Sequence, residues 1–303
     1  ILFSDVSKIF KLSDWFQKDS SSQQAASEQF TYMESEGIRY RVKAEGNFLY
    51  AYTKGQWQKM FIRGVNIGAG KPGIFPGELT TSYEEYYHWF EMISEMNVNC
   101  IRVYTTLRPQ FYNALYDFNA KADKPLYLFQ GVWINETDIQ SLADVYAQNE
   151  KILNDFISDA RHAVDVIHGN ITLPPRAGYA SGSYTADVSK YLAGWILGIE
   201  WDPKFVTTTN SANPDRAVDD GQYLYTLSAT PFEAFLSRAG NAVIQYQTEK
   251  YKYQVPVSFS NWVTTDPISH PNEPHPDEDR VSVNVENIKN RSSFFCNLFV
   301  TYH

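Results

Sequence analysis

One glutamate stands at the end of an apolar segment and is the residue in this chain best suited to chemistry. Residues 195–201 read Trp-Ile-Leu-Gly-Ile-Glu-Trp, so that Glu200 follows a strand-like run and precedes an indole. Carboxylates are almost never fully buried unless they are paired or functional. Glu200 is therefore either a satisfied structural acid or a group that transfers a proton to a sugar held beside Trp201.

The ends of five other apolar segments also carry polar and aromatic residues. Amide, guanidinium and imidazole groups can bind sugar hydroxyls, and aromatic rings can stack on the apolar faces of sugar rings. Each residue has an alternative: Arg102 could be a structural ion-pair partner and Trp133 could belong to the core. Together they predict an oligo- or polysaccharide ligand. The predicted binding residues are Asn66, Arg102, Tyr104, Trp133, Trp201, Asn261, Trp262, Tyr302 and His303.

Strands and helices alternate along most of the chain and would position these side chains. Helix starts are indicated by the capping-box patterns Ser82–Glu85 and Thr230–Glu233, the latter with proline at the first helical position. Six strands are predicted at 60–67, 98–105, 126–134, 194–200, 255–262 and 297–303. Helices are predicted at 82–96, 109–119 and 141–167, with a further one beginning near 230.

This alternation predicts an α/β fold with a parallel sheet, and two features favour a TIM (β/α)8 barrel. The strand-to-helix loops are long and carry the polar and aromatic residues, as at the C-terminal face of a barrel. No glycine-rich phosphate loop follows the first strand, where an open nucleotide-binding sheet would have one. Residues 30–60 alternate like strands of an N-terminal β-hairpin cap, and residues 1–29 form an irregular lead-in.

A barrel needs eight strands, and this sequence supplies only about six. The segment 297–303 is apolar, and no helix follows it. Strands of parallel sheets are buried on both faces. We therefore expect that about two βα units are absent from this sequence, so that the domain at 30–303 is incomplete at its C-terminus.

From about residue 60 to residue 303 the chain resembles the clan A glycoside hydrolases, especially families 2 and 5. The similar segments are Phe-Ile-Arg-Gly-Val-Asn at 61–66, Met-Asn-Val-Asn-Cys-Ile-Arg at 96–102 and the strand from Gly194 to Glu200. The resemblance implies a retaining glycosidase that acts on a β-linked carbohydrate. It places Glu200 as the general acid/base at the end of strand 4, and it places the nucleophile at the end of strand 7, outside this chain. Retaining pairs lie about 5–5.5 Å apart.

The chain departs from the family pattern at the residue before that glutamate. The family usually has asparagine there, in contact with the sugar 2-hydroxyl, and this chain has Ile199. The departure supports an alternative, a catalytically silent barrel that binds a glycan or a protein. Four other acids lie near predicted strand ends: Glu78, Glu136, Asp202 and Asp266. We expect each of them to stabilise a loop or to contact substrate, and we do not assign any of them as the nucleophile. The sequence does not identify the glycan, and it is compatible with both hydrolysis and transglycosylation.

Composition argues against several other functions. The net charge is −9 without a Lys/Arg cluster, which argues against nucleic acid and anionic membrane surfaces. No apolar run approaches the roughly 20 residues of a membrane span. No predicted strand ends in the lysine that a Schiff-base aldolase needs, and no paired histidines follow the first strand as in metal-dependent amidohydrolases. No cofactor is expected.

Three further features concern metals, thiols and cellular location. The loop 266–279 holds two histidines and five acids, but its prolines separate them, so a solvated loop is favoured over a metal site. Cys100 and Cys296 lie in apolar runs and are predicted to be buried, unpaired thiols. Glycosylation patterns begin at Asn135, Asn170 and Asn290, and they favour a secreted or membrane-anchored extracytoplasmic protein.

Overall fold

The computed structural model of this chain describes residues 30–272 and 279–302. The lead-in predicted for residues 1–29 lies outside the described residues. The first described elements are five short antiparallel strands in two small sheets, β1-β2 and β3-β4-β5. They are β1 (Met33–Ser35), β2 (Ile38–Tyr40), β3 (Val42–Glu45), β4 (Phe48–Thr53) and β5 (Gln56–Lys59).

The rest of the chain alternates between strands and helices, as the sequence predicts. In chain order the elements are β6 (Gly64–Asn66), α1 (Tyr83–Glu95), β7 (Cys100–Val103), α2 (Pro109–Lys121), β8 (Tyr127–Val132), α3 (Glu136–Leu142), α4 (Ala147–Ile167), β9 (Ile171–Leu173), β10 (Gly182–Tyr184), β11 (Leu192–Leu197), α5 (Pro203–Ala212), β12 (Leu224–Thr226), α6 (Pro231–Tyr251), β13 (Val257–Asn261), β14 (Ile288–Asn290) and β15 (Thr301–Tyr302).

Six of these strands form one parallel sheet in the order β6-β7-β8-β11-β13-β15. Each strand therefore pairs with the next strand of this sheet in chain order, and the sheet curls like half of a barrel, with helices against its outer face. The α/β architecture and the six predicted strands are confirmed. Within the described residues the sheet does not close, because β6 and β15 are its two edges, so the full (β/α)8 barrel stays a prediction.

The cap at the N-terminal ends of the sheet strands is held by Arg41. Arg41 lies between β2 and β3, where the chain passes from one small sheet to the other. The Arg41 side chain is fully buried. Its Nη1 donates to the carbonyl of Lys190, its Nη2 donates to Oη of Tyr127 at 3.1 Å, and its Cζ lies 4.2 Å from the ring centroid of Phe30. Tyr127 begins β8 and Lys190 precedes β11, so the small sheets are tied to the N-terminal ends of these strands.

The two capping boxes predicted from sequence are confirmed. The Ser82 hydroxyl accepts from the backbone N–H of Glu85, and the Glu85 carboxylate accepts from the backbone N–H of Ser82. Thr230 and Glu233 make the same reciprocal pair at the start of α6. Each box satisfies two backbone donors that the first helical turn leaves unpaired, which fixes where the helix begins.

Other element boundaries differ from the sequence prediction. The helix predicted at 141–167 is two helices, α3 and α4, because Ala143 adopts the left-handed conformation with φ of 56°. Helix α5 was not predicted, nor were the hairpin β9-β10 and the pair β12-β14. The outer strands are much shorter than predicted, since β6 spans only Gly64–Asn66 and β15 only Thr301–Tyr302.

The sheet has a large core on its outer face and a small one on its inner face. The outer core includes Trp195, Leu197 and Phe259 with the helices, and the inner cluster is Cys100, Phe129, Ala193 and Ile196 with Phe299 beside it. Next to the inner cluster, a cavity of about 380 Å³ lies between the residues of β6, β7 and β15. Both cysteines are buried and unpaired, as predicted, and burial raises the pKa of the Cys100 thiol to about 12. No helix of the described residues is long and apolar enough to cross a membrane.

His168, which follows α4, is joined to α6 by a chain of hydrogen bonds. Trp195 Nε1, which can only donate, donates to Gln247 Oε1 at 3.0 Å. The Gln247 amide nitrogen therefore faces His168 Nε2, at 3.2 Å, and donates to it, so that Nε2 must accept. The imidazole also stacks on Tyr251 with centroids 3.7 Å apart. Burial lowers the pKa of His168 to about 4, although the negative charges of Asp187 and Asp165 act to raise it.

We expect this histidine to make the protein less stable in mild acid. Its pKa is lower in the folded state than in the unfolded state, so its contribution is complete above about pH 6.5 and is lost as the pH falls to about 4. The loss is on the order of 3 kcal/mol. Urea unfolding at pH 7, 5.5 and 4.5 measures it. His168→Phe keeps the stacked ring but cannot titrate, and equal acid sensitivity in both proteins would contradict the assignment.

Candidate active site

The turn after β11 directs Glu200 outward between two buried neighbours. Gly198 ends the strand with φ of 102°, and its N–H donates to the carbonyl of Val132 at 3.0 Å. Ile199 and Trp201 are both buried, whereas Glu200 between them is exposed. The side chain of Glu200 therefore lies at the C-terminal edge of the sheet, where the sequence predicted it.

Trp201 anchors this turn from beneath and does not face a ligand. Its side chain is 0% exposed, and its Nε1 donates to the carbonyl of Ser260 in β13 at 3.1 Å. The ring packs against Phe232, with centroids 5.1 Å apart, and fits against Gly198 so closely that a Cβ there would lie 2.1 Å from Trp201 Cζ2. The sequence proposed Trp201 as a sugar-binding residue. The structure corrects that expectation, because the indole has no accessible surface to offer.

Residues that follow three neighbouring strands line one cavity of about 490 Å³. Trp133 follows β8, Glu200 lies just beyond β11, and Trp262 follows β13. Both indoles are partly exposed. We call this the Glu200 cavity. Its volume falls within the range of small-molecule sites. Its lining is Trp133, Glu136, Ile139, Gln140, Ala143, Ile199, Glu200, Asp202, Lys204, Phe205 and Trp262.

Helix starts supply the other acids of the Glu200 cavity. Asn135 caps α3 by accepting from the N–H of Thr137 at 3.0 Å, which places Glu136 in the first helical turn. Asp202 caps α5 by accepting from the N–H of Phe205 at 2.9 Å. Three carboxylates therefore line the cavity against a single ammonium group, that of Lys204. Such a lining disfavours anionic ligands and leaves oxygen acceptors for hydroxyl groups.

The remaining predicted binding residues lie elsewhere. Asn66, Arg102 and Tyr302 line the inner-face cavity, where burial lowers the pKa of Arg102. Tyr104 lines a separate cavity of about 580 Å³ beside Trp133. Asn261 is buried, and its side-chain oxygen accepts from the N–H of Trp262 at 3.2 Å. His303 lies outside the described residues.

Of the predicted residues, the structure thus places Glu200, Trp133 and Trp262 in the lining of the Glu200 cavity, and Tyr104 contacts Trp133 from outside it. It adds Glu136 and Asp202, for which the sequence already offered substrate contact as an alternative. Gln140 and Lys204 were not anticipated. The signal for Lys204 was the Asp202-Pro203 pair, which marks a helix start next to Glu200.

The acidic loop after β13 is organised around His270 where the structure describes it. His270 Nδ1 lies 2.9 Å from Asp279 Oδ1, and the backbone N–H of His270 also donates to the Asp279 carboxylate. These two hydrogen bonds hold the pKa of Asp279 below its usual value. Across residues 30–272 and 279–302, no group of three or more His, Cys, Asp or Glu side chains is placed to hold a metal ion.

No protein-family model matches the sequence, and no curated protein matches it. One similar solved structure is the crystal structure of BpGH50, whose name marks it as a glycoside hydrolase of family 50. It matches 80% of this chain and 58% of its own chain, with 11% sequence identity and a TM-score of 0.33. The chain therefore spans less than two thirds of that protein, and a likeness this distant does not establish a shared fold.

Proposed function

We propose that this chain carries a carbohydrate site in which Glu200 is the general acid/base of a retaining β-glycoside hydrolase. The observation that carries the proposal is the Glu200 cavity itself, in which an outward-facing carboxylate lies among two partly exposed indoles and further carboxylates. Indoles bind the apolar faces of sugar rings, and carboxylates accept hydrogen bonds from sugar hydroxyls. The position at the C-terminal edge of parallel strands suits a ligand site.

In the proposed reaction Glu200 first donates a proton to the glycosidic oxygen as the bond to the leaving group breaks. A nucleophilic carboxylate attacks the anomeric carbon from the opposite face and forms a covalent glycosyl intermediate. Glu200 then removes a proton from the incoming water, which releases the sugar with its original anomeric configuration. The resemblance puts the nucleophile on a seventh strand, beyond the six that form this sheet.

Turnover of aryl β-glycosides by the full-length protein tests this proposal. A panel of p-nitrophenyl β-glucoside, β-galactoside and β-mannoside covers the compatible sugars, and proton NMR identifies the anomer released first. We expect cleavage with the β anomer appearing first, because two displacements restore the configuration.

Two outcomes would contradict the proposal in different ways. An α anomer formed first would indicate a single displacement and an inverting enzyme. Binding of glycans without cleavage of any substrate would favour the silent, glycan-binding barrel instead.

A further inference from the structure

The Glu200 cavity adjoins the larger cavity beside it through a shared wall. Trp133 and Glu136 line both the Glu200 cavity, of about 490 Å³, and the cavity of about 580 Å³. We call the second one the Tyr179 cavity. Its lining is Gly68, Ala69, Leu79, Tyr104, Thr105, Leu107, Trp133, Ile134, Asn135, Glu136, Thr137, Ala177, Gly178 and Tyr179. A ligand that leaves the Glu200 cavity on this side must pass Trp133.

We propose that these two cavities form one cleft for a neutral oligosaccharide, which lies across Trp133 and places different sugar units in each cavity. This inference rests on the proposed function of the Glu200 cavity and extends it to the class of substrate. The ligand is a chain of several units rather than a monoglycoside.

The orientation of Trp133 is fixed from two sides. Its Nε1 donates to Glu136 Oε1 at 3.1 Å, so the polar edge of the indole is satisfied by the shared wall itself. Its ring is perpendicular to that of Tyr104, with centroids 6.1 Å apart. Arg102 lies 4.9 Å from the Tyr104 centroid and supports that ring in turn. An aromatic side chain held this way binds a flat ligand surface at little entropic cost.

The second cavity also has an ordered aromatic wall at Tyr179. The Arg176 guanidinium lies 3.4 Å from the Tyr179 ring centroid, and Arg176 Nη1 donates to Asp159 Oδ1 at 2.7 Å. Both cavities therefore present aromatic carbon surface together with oxygen and nitrogen groups. This combination suits sugar rings, which have apolar faces and polar edges.

The charges that line the two cavities favour a neutral oligosaccharide over an anionic one. Among the described residues that line the Tyr179 cavity, Glu136 is the only one with a charged side chain, and the Glu200 cavity adds two carboxylates and one ammonium group. Carboxylated or sulfated sugars would meet the negative charge of Glu136 where the two cavities adjoin and a net negative charge in the Glu200 cavity. Like charges brought together with little water between them are strongly disfavoured.

Calorimetric titration of full-length Glu200→Gln, which blocks turnover, tests the inference. The probes are gluco-oligosaccharides with β-1,4 or β-1,3 links and β-1,4-manno-oligosaccharides, each with two, four or six units. Mannuronate oligomers of the same linkage and lengths are the anionic counterpart. We expect Kd to fall by about tenfold or more from two to six units for at least one neutral series, with weaker binding of the mannuronates.

Two substitutions test which cavity binds the additional sugar units. Tyr179 lines the Tyr179 cavity and a smaller one of about 110 Å³ but not the Glu200 cavity, so Tyr179→Ala should weaken six-unit binding about three- to tenfold and leave two-unit binding unchanged. Trp133→Ala removes the shared wall and should weaken binding at every length. Tyr116→Ala is the matched control, since Tyr116 is an exposed tyrosine on α2 that lines neither cavity.

The inference would be overturned by a Kd that does not change with length, by equal loss at two and six units in Tyr179→Ala, or by preference for mannuronates. If aryl monoglycosides are still cleaved in that case, the proposed function stands without the extended cleft. If nothing is bound and nothing is cleaved, both are overturned.

Discussion

Glu200→Gln is expected to lower kcat on glycosides with poor leaving groups by about 10²–10⁴-fold, because an amide cannot donate the proton that the departing oxygen needs. Substrates with an activated leaving group, such as 2,4-dinitrophenyl glycosides, need less protonation and should lose much less in the glycosylation step. Steady-state kinetics over a series of aryl glycosides with increasing leaving-group pKa measures this difference.

Glu95→Gln is the matched control, since Glu95 is an exposed glutamate at the C-terminal end of α1. Both variants should unfold at the same denaturant concentration as the wild type, because each replaces an exposed carboxylate by an amide of the same shape. If Glu200→Gln cleaved poor leaving groups at the wild-type rate, Glu200 would not be the acid.

Gly198→Ala is expected to destabilise the fold by about 2–5 kcal/mol, from backbone strain and overpacking together. The φ of Gly198 is 102°, a value that residues other than glycine rarely adopt, and an added Cβ would lie 2.1 Å from Trp201 Cζ2. Because Trp201 is held by Ser260, Phe232 and Phe235, the indole cannot move aside without breaking the core. Urea unfolding monitored by tryptophan fluorescence measures the loss.

Gly73→Ala separates the two contributions. Gly73 has φ of 80° but nothing within 4 Å of an added Cβ. It should therefore show only the cost of the left-handed conformation, about 1–2 kcal/mol. Equal losses in the two variants would mean that the contact with Trp201 contributes nothing.

Sequence reasoning was accurate where the signal is local. The capping boxes at Ser82 and Thr230 depend on side chains three residues apart, so the pattern alone gives the start of each helix. Helix α5 is marked at its start by Asp202-Pro203, but the residues that follow favour a helix only weakly. Its sequence includes Val206 and three threonines at 207–209, which have low intrinsic helix propensity, and burial of Phe205 and Val206 offsets this.

The lengths of strands and the exposure of residues after them could not be predicted, because both depend on residues that are far apart in the sequence. Residues 60–63 have strand-like composition, yet β6 begins only at Gly64, where β7 provides a partner. Trp201 and Trp262 both follow strands, and nothing local distinguishes them. Trp201 is buried because Gly198 turns the chain over it, whereas Trp262 remains partly exposed at the cavity.

The attachment of the small sheets by Arg41 gives the molecule two ends that can be engineered independently. The β4–β5 turn at Lys54 and Gly55 is exposed and belongs to the sheets that pack on the N-terminal ends of the strands, whereas the cleft lies at their C-terminal ends. A surface linker or a fluorescent label coupled to this turn would therefore leave the cleft open. The protein could be immobilised on a sensor or a solid support through this turn with the Glu200 cavity presented to solution.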